Sequence, residues 1–168
     1  SKAPIYFDES SGITVPEIKA KVRRMKKTDL VIIDYLQLMR SARRTENRVQ
    51  EVSDITRNLK IMAKDLGVPV LVCAQLSRGT EVKGKSHRPQ LADLRESGSI
   101  EQDADIVLFL YRESYYQADA DEDGAPPDNT SAEVIVAKNR HGETGTVKLH
   151  WTGEFTRFTA QEAYRNEG

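Results

Sequence analysis

Four apolar residues, Leu30-Val31-Ile32-Ile33, run unbroken into a single carboxylate, Asp34. A strand covered on both faces in a parallel sheet reads this way, because polar alternation is needed only where one face meets water. Pro69 to Ala74 and Ile106 to Tyr111 repeat the pattern and predict two more buried strands. Between the first two runs, Val49, Val52, Ile55, Leu59, Met62 and Leu66 recur at three- and four-residue spacing. That stripe predicts a helix over about 46–66, capped by Thr45 and ended by Gly67. Strands alternating with helices define an α/β fold. In such a fold, ligands bind in the crevice at the carboxyl ends of the strands. Asp34 stands at such an end, where nucleotide-hydrolysing folds hold a magnesium-directed aspartate. An Asp there also suits plain capping of the next segment, and this stretch alone leaves both readings open.

The flanking segments extend the pattern. Ile5-Tyr6-Phe7 reads as a short strand ending at Asp8, and Ser10-Ser11-Gly12 as a turn. Pro16 fits the first turn of a helix to about Lys27. Its Lys19, Lys21, Arg23, Arg24, Lys26 and Lys27 suit a solvated outer face. Residues 77–90 form a polar loop and Leu91 to Arg95 a short helix. Residues 113–131 read as an acidic linker containing Pro126-Pro127. Glu133–Lys138 and Thr146–Trp151 alternate around Asn139-Arg140-His141-Gly142, which predicts a hairpin, with Phe155–Phe158 as a third strand. Residues 1–160 are expected to form one domain and 161–168 a loosely ordered tail.

A chain of 168 residues with 38% hydrophobic and 30% charged residues fits one globular domain. Its net charge of −1 means that any nucleic-acid contact must come from local patches. The lone cysteine, Cys73, lies in an apolar run, which predicts a buried, inert thiol in a reducing compartment. No apolar run approaches membrane-spanning length and no signal peptide opens the chain, so a cytoplasmic protein without a membrane partner is expected.

Two motifs invite misreading. Gly79-Thr80-Glu81-Val82-Lys83-Gly84-Lys85-Ser86 spells a Walker A loop. Such a loop leaves its strand directly and opens a helix that presents N–H groups to phosphate. Here Gln75 to Arg78 intervene, and Pro89 follows Ser86 too closely for a helix to open normally. Asp119 to Gly124 begins like a calcium loop, but its twelfth position is Thr130, not a bidentate Glu, and two prolines fall within it. A solvated acidic linker accounts for it. His87, His141 and His150 have no metal-ligand spacing, and Ser77, Ser97 and Ser99 form no hydrolytic triad pattern.

Polar groups at strand ends remain. Asp34 follows one buried strand and Gln75 another. Lys138 and Arg140 stand two apart leaving the hairpin strand, so both are expected to point the same way. Paired cations there suit either phosphate or a solvated tip. Arg95-Glu96-Ser97-Gly98-Ser99 suits either a clamp on backbone phosphates, with Gly98 permitting close approach, or an ordinary join between helices.

In combination these stretches resemble the C-terminal motor domain of bacterial replicative helicases of the DnaB type. The matching pieces are Ile32 to Leu38, Ala74 to Arg78, the long run Asp93 to Asp105, and Ala137 to Gly142, in the family's order. The resemblance implies a three-layer RecA-like P-loop NTPase core, present in part, with a mostly parallel sheet and a C-terminal antiparallel hairpin. It implies a ring-shaped homo-hexamer that encircles single-stranded DNA and is driven by ATP with Mg²⁺, and it implies primase and a helicase loader as partners. Asp34 would be the Walker B carboxylate, holding the water shell of Mg²⁺, and Gln75 the sensor of the γ-phosphate. Lys138 and Arg140 resemble the fingers that enter a neighbouring subunit's nucleotide site. Arg95, Glu96 and Gly98 fall in the loop that grips DNA, and 77–90 in another loop facing the channel.

The chain departs from the family at the hairpin tip, where Asn139 and His141 replace the usual Gln and Asn, sparing both cations. The family's Walker A segment and catalytic glutamate would lie upstream of Ser1. The 168 residues alone are therefore expected to hydrolyse no ATP. Two alternatives are a RecA-class recombination or repair ATPase and a catalytically inert, self-associating fragment.

Overall fold

The structure, a computed structural model, describes residues 3–76, 88–117 and 129–161, and only the backbone of 95–98. The Walker-A-like segment 79–86 and the calcium-loop-like segment 119–124 lie outside the described residues, as does the tail from 162 on. The chain divides into two compact units, one of residues 1–76 with 96–104 and one of 77–95 with 105–168.

In the first unit, helix α1 (Val15–Arg24) starts with proline in its first turn. Glu17 accepts hydrogen bonds from the Thr14 N–H at 2.8 Å and the Thr14 hydroxyl at 2.7 Å, satisfying an otherwise orphaned helix-start donor. The helix stops at Arg24, short of the expected Lys27, because Met25 is already extended. Strand β1 (Val31–Ile33) and strand β2 (Val70–Val72) pair in parallel, with Val31 opposite Val70 and Ile33 opposite Val72. Helix α2 (Arg48–Leu66) joins them.

Asn47, not Thr45, caps α2, its side chain accepting from the Gln50 N–H at 2.9 Å. Gly67 ends the helix in the left-handed conformation at φ 63°, which a side chain would strain. The expected stripe is buried at Val52, Ile55, Leu59 and Met62, whereas Val49, in the first turn, is exposed. Val15, Ile18, Leu36 and Met39 complete this core, and Val31, Ile33, Val70 and Val72 pack against it. Helix α3 (Gly98–Asp103) is tied to α2 by the Thr56 hydroxyl, which donates to Asp103 at 2.7 Å.

The second unit holds strand β3 (Ile106–Tyr111), the short helix α4 (Ser114–Gln117), and strands β4 (Ser131–Asn139), β5 (Gly145–Thr152) and β6 (Arg157–Ala160). The four strands form one antiparallel sheet in the order β3-β4-β5-β6. The expected hairpin and third strand are present, each longer or shifted by a few residues. Alternation drives the packing: Val107, Phe109, Ala132 and Trp151 are buried, and Trp151 meets Phe158 at a ring distance of 4.5 Å. Arg88 pairs with Glu133, donates to Thr146 Oγ1 at 3.2 Å and lies over the Tyr111 ring.

Several expectations do not hold. Residues 5–7 form no strand among the described residues, and all three side chains are exposed. The apolar runs are not covered on both faces. Ile32 and Leu71 are exposed in the parallel pair, and Ile106, Leu108 and Leu110 in β3. An unbroken apolar run permits burial on both sides of a strand but does not supply the layers that would provide it. Cys73 is exposed rather than buried, two residues after the likewise exposed Leu71 in the alternation of β2. Residues 114–117, expected as linker, form α4.

Candidate nucleotide and DNA site

Two of the expected residues sit at the carboxyl edge of the parallel pair. Asp34 follows β1 directly and is exposed, and the peptide joining it to Tyr35 is cis. A tight 3₁₀ turn, Leu36–Leu38, comes next. Leu36 (1% exposed) and Met39 (2%) plug the turn into the core. Burying those two side chains holds the adjoining Asp34 at a fixed place on the sheet edge. Two backbone bonds continue the strand alignment: the Cys73 N–H donates to the Ile33 carbonyl at 2.9 Å, and the Leu36 N–H to the Cys73 carbonyl at 2.8 Å. Gln75 therefore leaves β2 on the same edge as Asp34, also exposed.

Gln37 has no role legible in the sequence, although it lies inside the motif carried by Asp34. Its carboxamide donates to the Gln75 carbonyl at 3.2 Å and accepts from the Gln75 N–H at 3.4 Å. Arg48, at the start of α2, donates to the Gln37 carbonyl at 3.0 Å and to Glu51 at 2.7 Å. The Arg48 guanidinium lowers the pKa of Glu51 below the usual carboxylate range. Arg48–Glu51 is an ordinary i,i+3 helix pair, but no periodicity signals the contacts of Gln37, since each joins a side chain to distant backbone.

Among the described residues the Asp34 carboxylate has no hydrogen-bond or ion-pair partner. No three His, Cys, Asp or Glu side chains among them form a metal cage. A single free, exposed carboxylate fits a magnesium ion, which keeps most of its waters and commonly takes one or two protein carboxylates.

In the second unit, Lys138 lies on β4 opposite Val107, beside an irregularity between Val107 and Leu108 that skips Ala137. Bulges of this kind re-aim the side chains around them. Arg140 lies just beyond the strand end. Its N–H donates to the Asp105 carbonyl at 2.8 Å, and its guanidinium stands 3.4 Å from the Asp105 carboxylate. The tip is tightened by Asn139, whose side chain accepts from the His141 N–H and donates to the Glu143 carbonyl, both at 3.3 Å. A Cβ at Gly142 would fall 2.6 Å from Asn139 Nδ2, so a larger residue there would displace the side chain that bridges the tip. Asp105 closes the matching run that begins at Asp93, but its contact with Arg140 is not legible there.

Arg95 and Glu96 lie in the 3₁₀ helix Leu91–Ser97, and Gly98 opens α3. Their backbone is placed, while their side chains lie outside the described residues.

A carboxylate and an amide at the ends of neighbouring parallel strands, with helices packed on the sheet, define an α/β fold of the RecA-like class. Residues 1–160 match the family described as DnaB-like helicase C terminal domain. The chain belongs to that family. It is 51% identical to the replicative DNA helicase DnaB of Leifsonia xyli subsp. xyli (strain CTCB07) over 159 residues, covering 93% of this chain and 33% of that protein. It is 47% identical to the replicative DNA helicase DnaC of Bacillus subtilis (strain 168) over 166 residues, 96% of this chain and 35% of that one. Among solved structures it resembles a DnaB-like replicative helicase solved for its interactions with primase, with a TM-score of 0.79, 42% identity, and coverage of 93% of this chain and 37% of that one. It also resembles a separately solved ATPase domain, with a TM-score of 0.78, 42% identity, and coverage of 90% and 52%. The chain thus spans about a third of the length of the curated relatives it matches.

Proposed function

We propose that this chain is motor-domain sequence of an ATP-driven replicative DNA helicase. In that enzyme a homo-hexameric ring translocates on single-stranded DNA and unwinds the duplex ahead of it. The observation that carries the reading is the placement of Asp34 and Gln75 on one edge of the parallel pair, in a chain whose family is that of DnaB-like helicases. Asp34 would hold the hydration shell of Mg²⁺ from the strand end with its exposed carboxylate. That ion, bound with ATP, would supply positive charge against the charge that develops on the transferring phosphoryl group. Gln75 senses the γ-phosphate from the adjacent strand end.

Lys138 and Arg140 act in trans, reaching the nucleotide held by the neighbouring subunit and stabilising charge on the transferring phosphoryl group. Arg95, Glu96 and Gly98 grip the DNA backbone, and Arg95 contacts phosphate rather than bases, since a translocating motor cannot depend on sequence. Primase and a helicase loader are its protein partners in a cytoplasmic replication complex. The similarity to a helicase solved for its primase interactions supports the first of these.

The test uses the full-length helicase that contains this segment. Asp34→Asn keeps the size but removes the charge. It should abolish DNA-stimulated ATP hydrolysis and strand separation while the ring still assembles. Turnover at the wild-type rate would reject the assignment of Asp34.

A further inference from the structure

Past Val72 the sheet loses its partner on one side. β1 pairs with β2 only as far as Ile33, and its chain then folds into the turn 36–38. The Gln75 backbone, two residues beyond the Cys73 contacts, would face that side with a donor and an acceptor that no strand among the described residues satisfies. The Gln37 side chain meets both, one bond in each direction. A primary carboxamide carries one acceptor and two donor hydrogens on a planar group, so it reproduces the pairing edge of a peptide unit. Gln37 thus replaces, with its side chain, the strand residue that β1 no longer provides. It is held on three sides: Leu36 is buried beside it, Leu38 donates from its N–H to the Tyr35 carbonyl at 3.1 Å, and Arg48 binds its carbonyl.

We infer that Gln37 is a positioning residue for Gln75, fixing the Gln75 main chain so that its exposed side chain leaves the sheet edge in one direction. The turn that follows Asp34 and the strand end that carries Gln75 are thereby one mechanical piece. A change at either the metal-directed or the γ-phosphate-directed residue is felt by the other. This inference rests on the reading of Gln75 as the γ-phosphate sensor.

The experiment is a double-mutant cycle in the full-length helicase, reading steady-state ATP hydrolysis with thermal stability and ring assembly as controls. Gln37→Met keeps the shape and removes both hydrogen bonds. Gln37→Glu keeps the shape and the acceptor but sets a carboxylate against the Gln75 carbonyl. Each should lower kcat about tenfold, the scale of losing one to two net hydrogen bonds at a transition state, with KM for ATP changed little. Gln37→Met combined with Gln75→Ala should be no slower than Gln75→Ala alone, because the two residues act as a unit. Should Gln37→Met fail to assemble, Gln37→Glu carries the same comparison. Wild-type kcat in the Gln37 variants, or losses that multiply in the double variant, would overturn the inference while leaving the sensor reading intact. Wild-type turnover in Gln75→Ala would overturn the sensor reading itself, and this inference with it.

Discussion

Replacing Arg140 with alanine separates a structural arginine from one that works across a subunit boundary. Within its own chain Arg140 makes two contacts with Asp105. Its N–H donates to the Asp105 carbonyl at 2.8 Å, and alanine keeps that bond. Its guanidinium stands 3.4 Å from the Asp105 carboxylate, with both side chains 45% exposed. A pair so open to water is worth about 1 kcal/mol at most. Losing that ion pair should therefore cost the fold no more than that, a fall in melting temperature of only a few degrees for a domain this size. An arginine finger contributes three to five orders of magnitude in rate, roughly 4–7 kcal/mol of transition-state stabilisation.

The two readings thus differ several-fold in energy and fall on different observables. The assay mixes Arg140→Ala subunits with Asp34→Ala subunits in the full-length helicase and follows ATP hydrolysis against the mixing ratio. Neither variant alone should turn over. Mixed rings should recover part of the rate, because an intact Asp34 site then meets an intact Arg140 from its neighbour. No recovery at any ratio would refute action in trans. A stability loss well above about 1 kcal/mol, the ceiling for so exposed a pair, would show that Arg140 serves its own fold.

Asp8 has its pKa lowered to about 2 by the hydrogen bond from Lys21, with further help from Ser10. A depressed carboxylate pKa means that its contribution to stability is present above the ordinary value near 3.8 and is lost as pH falls toward about 2. Lys21→Met should return Asp8 toward the ordinary value in a carboxyl NMR titration, and an unmoved midpoint would assign the shift to Ser10. Thr56→Val removes the hydroxyl that donates to Asp103 and should destabilise by about 1.5–3 kcal/mol in urea unfolding, as for hydrogen bonds to charged groups. A change below about 0.5 kcal/mol would mean that Asp103 finds water instead. Arg95→Ala in the full-length enzyme should weaken single-strand binding equally for poly-pyrimidine and mixed strands. Its salt slope should shrink by roughly 0.7 for each phosphate that Arg95 no longer neutralises. A loss confined to one sequence would make Arg95 a reader of bases.

The alternation of strands and helices is legible in the chain itself, because the periods of the apolar residues report local geometry. The stripe from Val52 to Met62 has the period of a helix, and the short, β-branched runs ending at Asp34 and near Gln75 read as strands. The long run Asp93 to Asp105 identified the family, since so many specific residues do not coincide by chance. The tertiary structure alone decided which apolar residues meet other residues. Val31 and Ile33 pack inward while Ile32 faces out, a difference that composition cannot carry because all three are equally apolar. It also decided that Cys73 is exposed, since it follows the uncovered Leu71 in the strand's alternation.

The parts of the site that the sequence did not reveal are those made between distant segments. Gln37 bonds to backbone 38 residues away, and Asp105 meets Arg140 just past the Ile106–Asn139 pair of neighbouring strands. Neither pairing leaves a spacing in the chain, because contacts between distant segments depend on where the strands end, and only the folded sheet determines that.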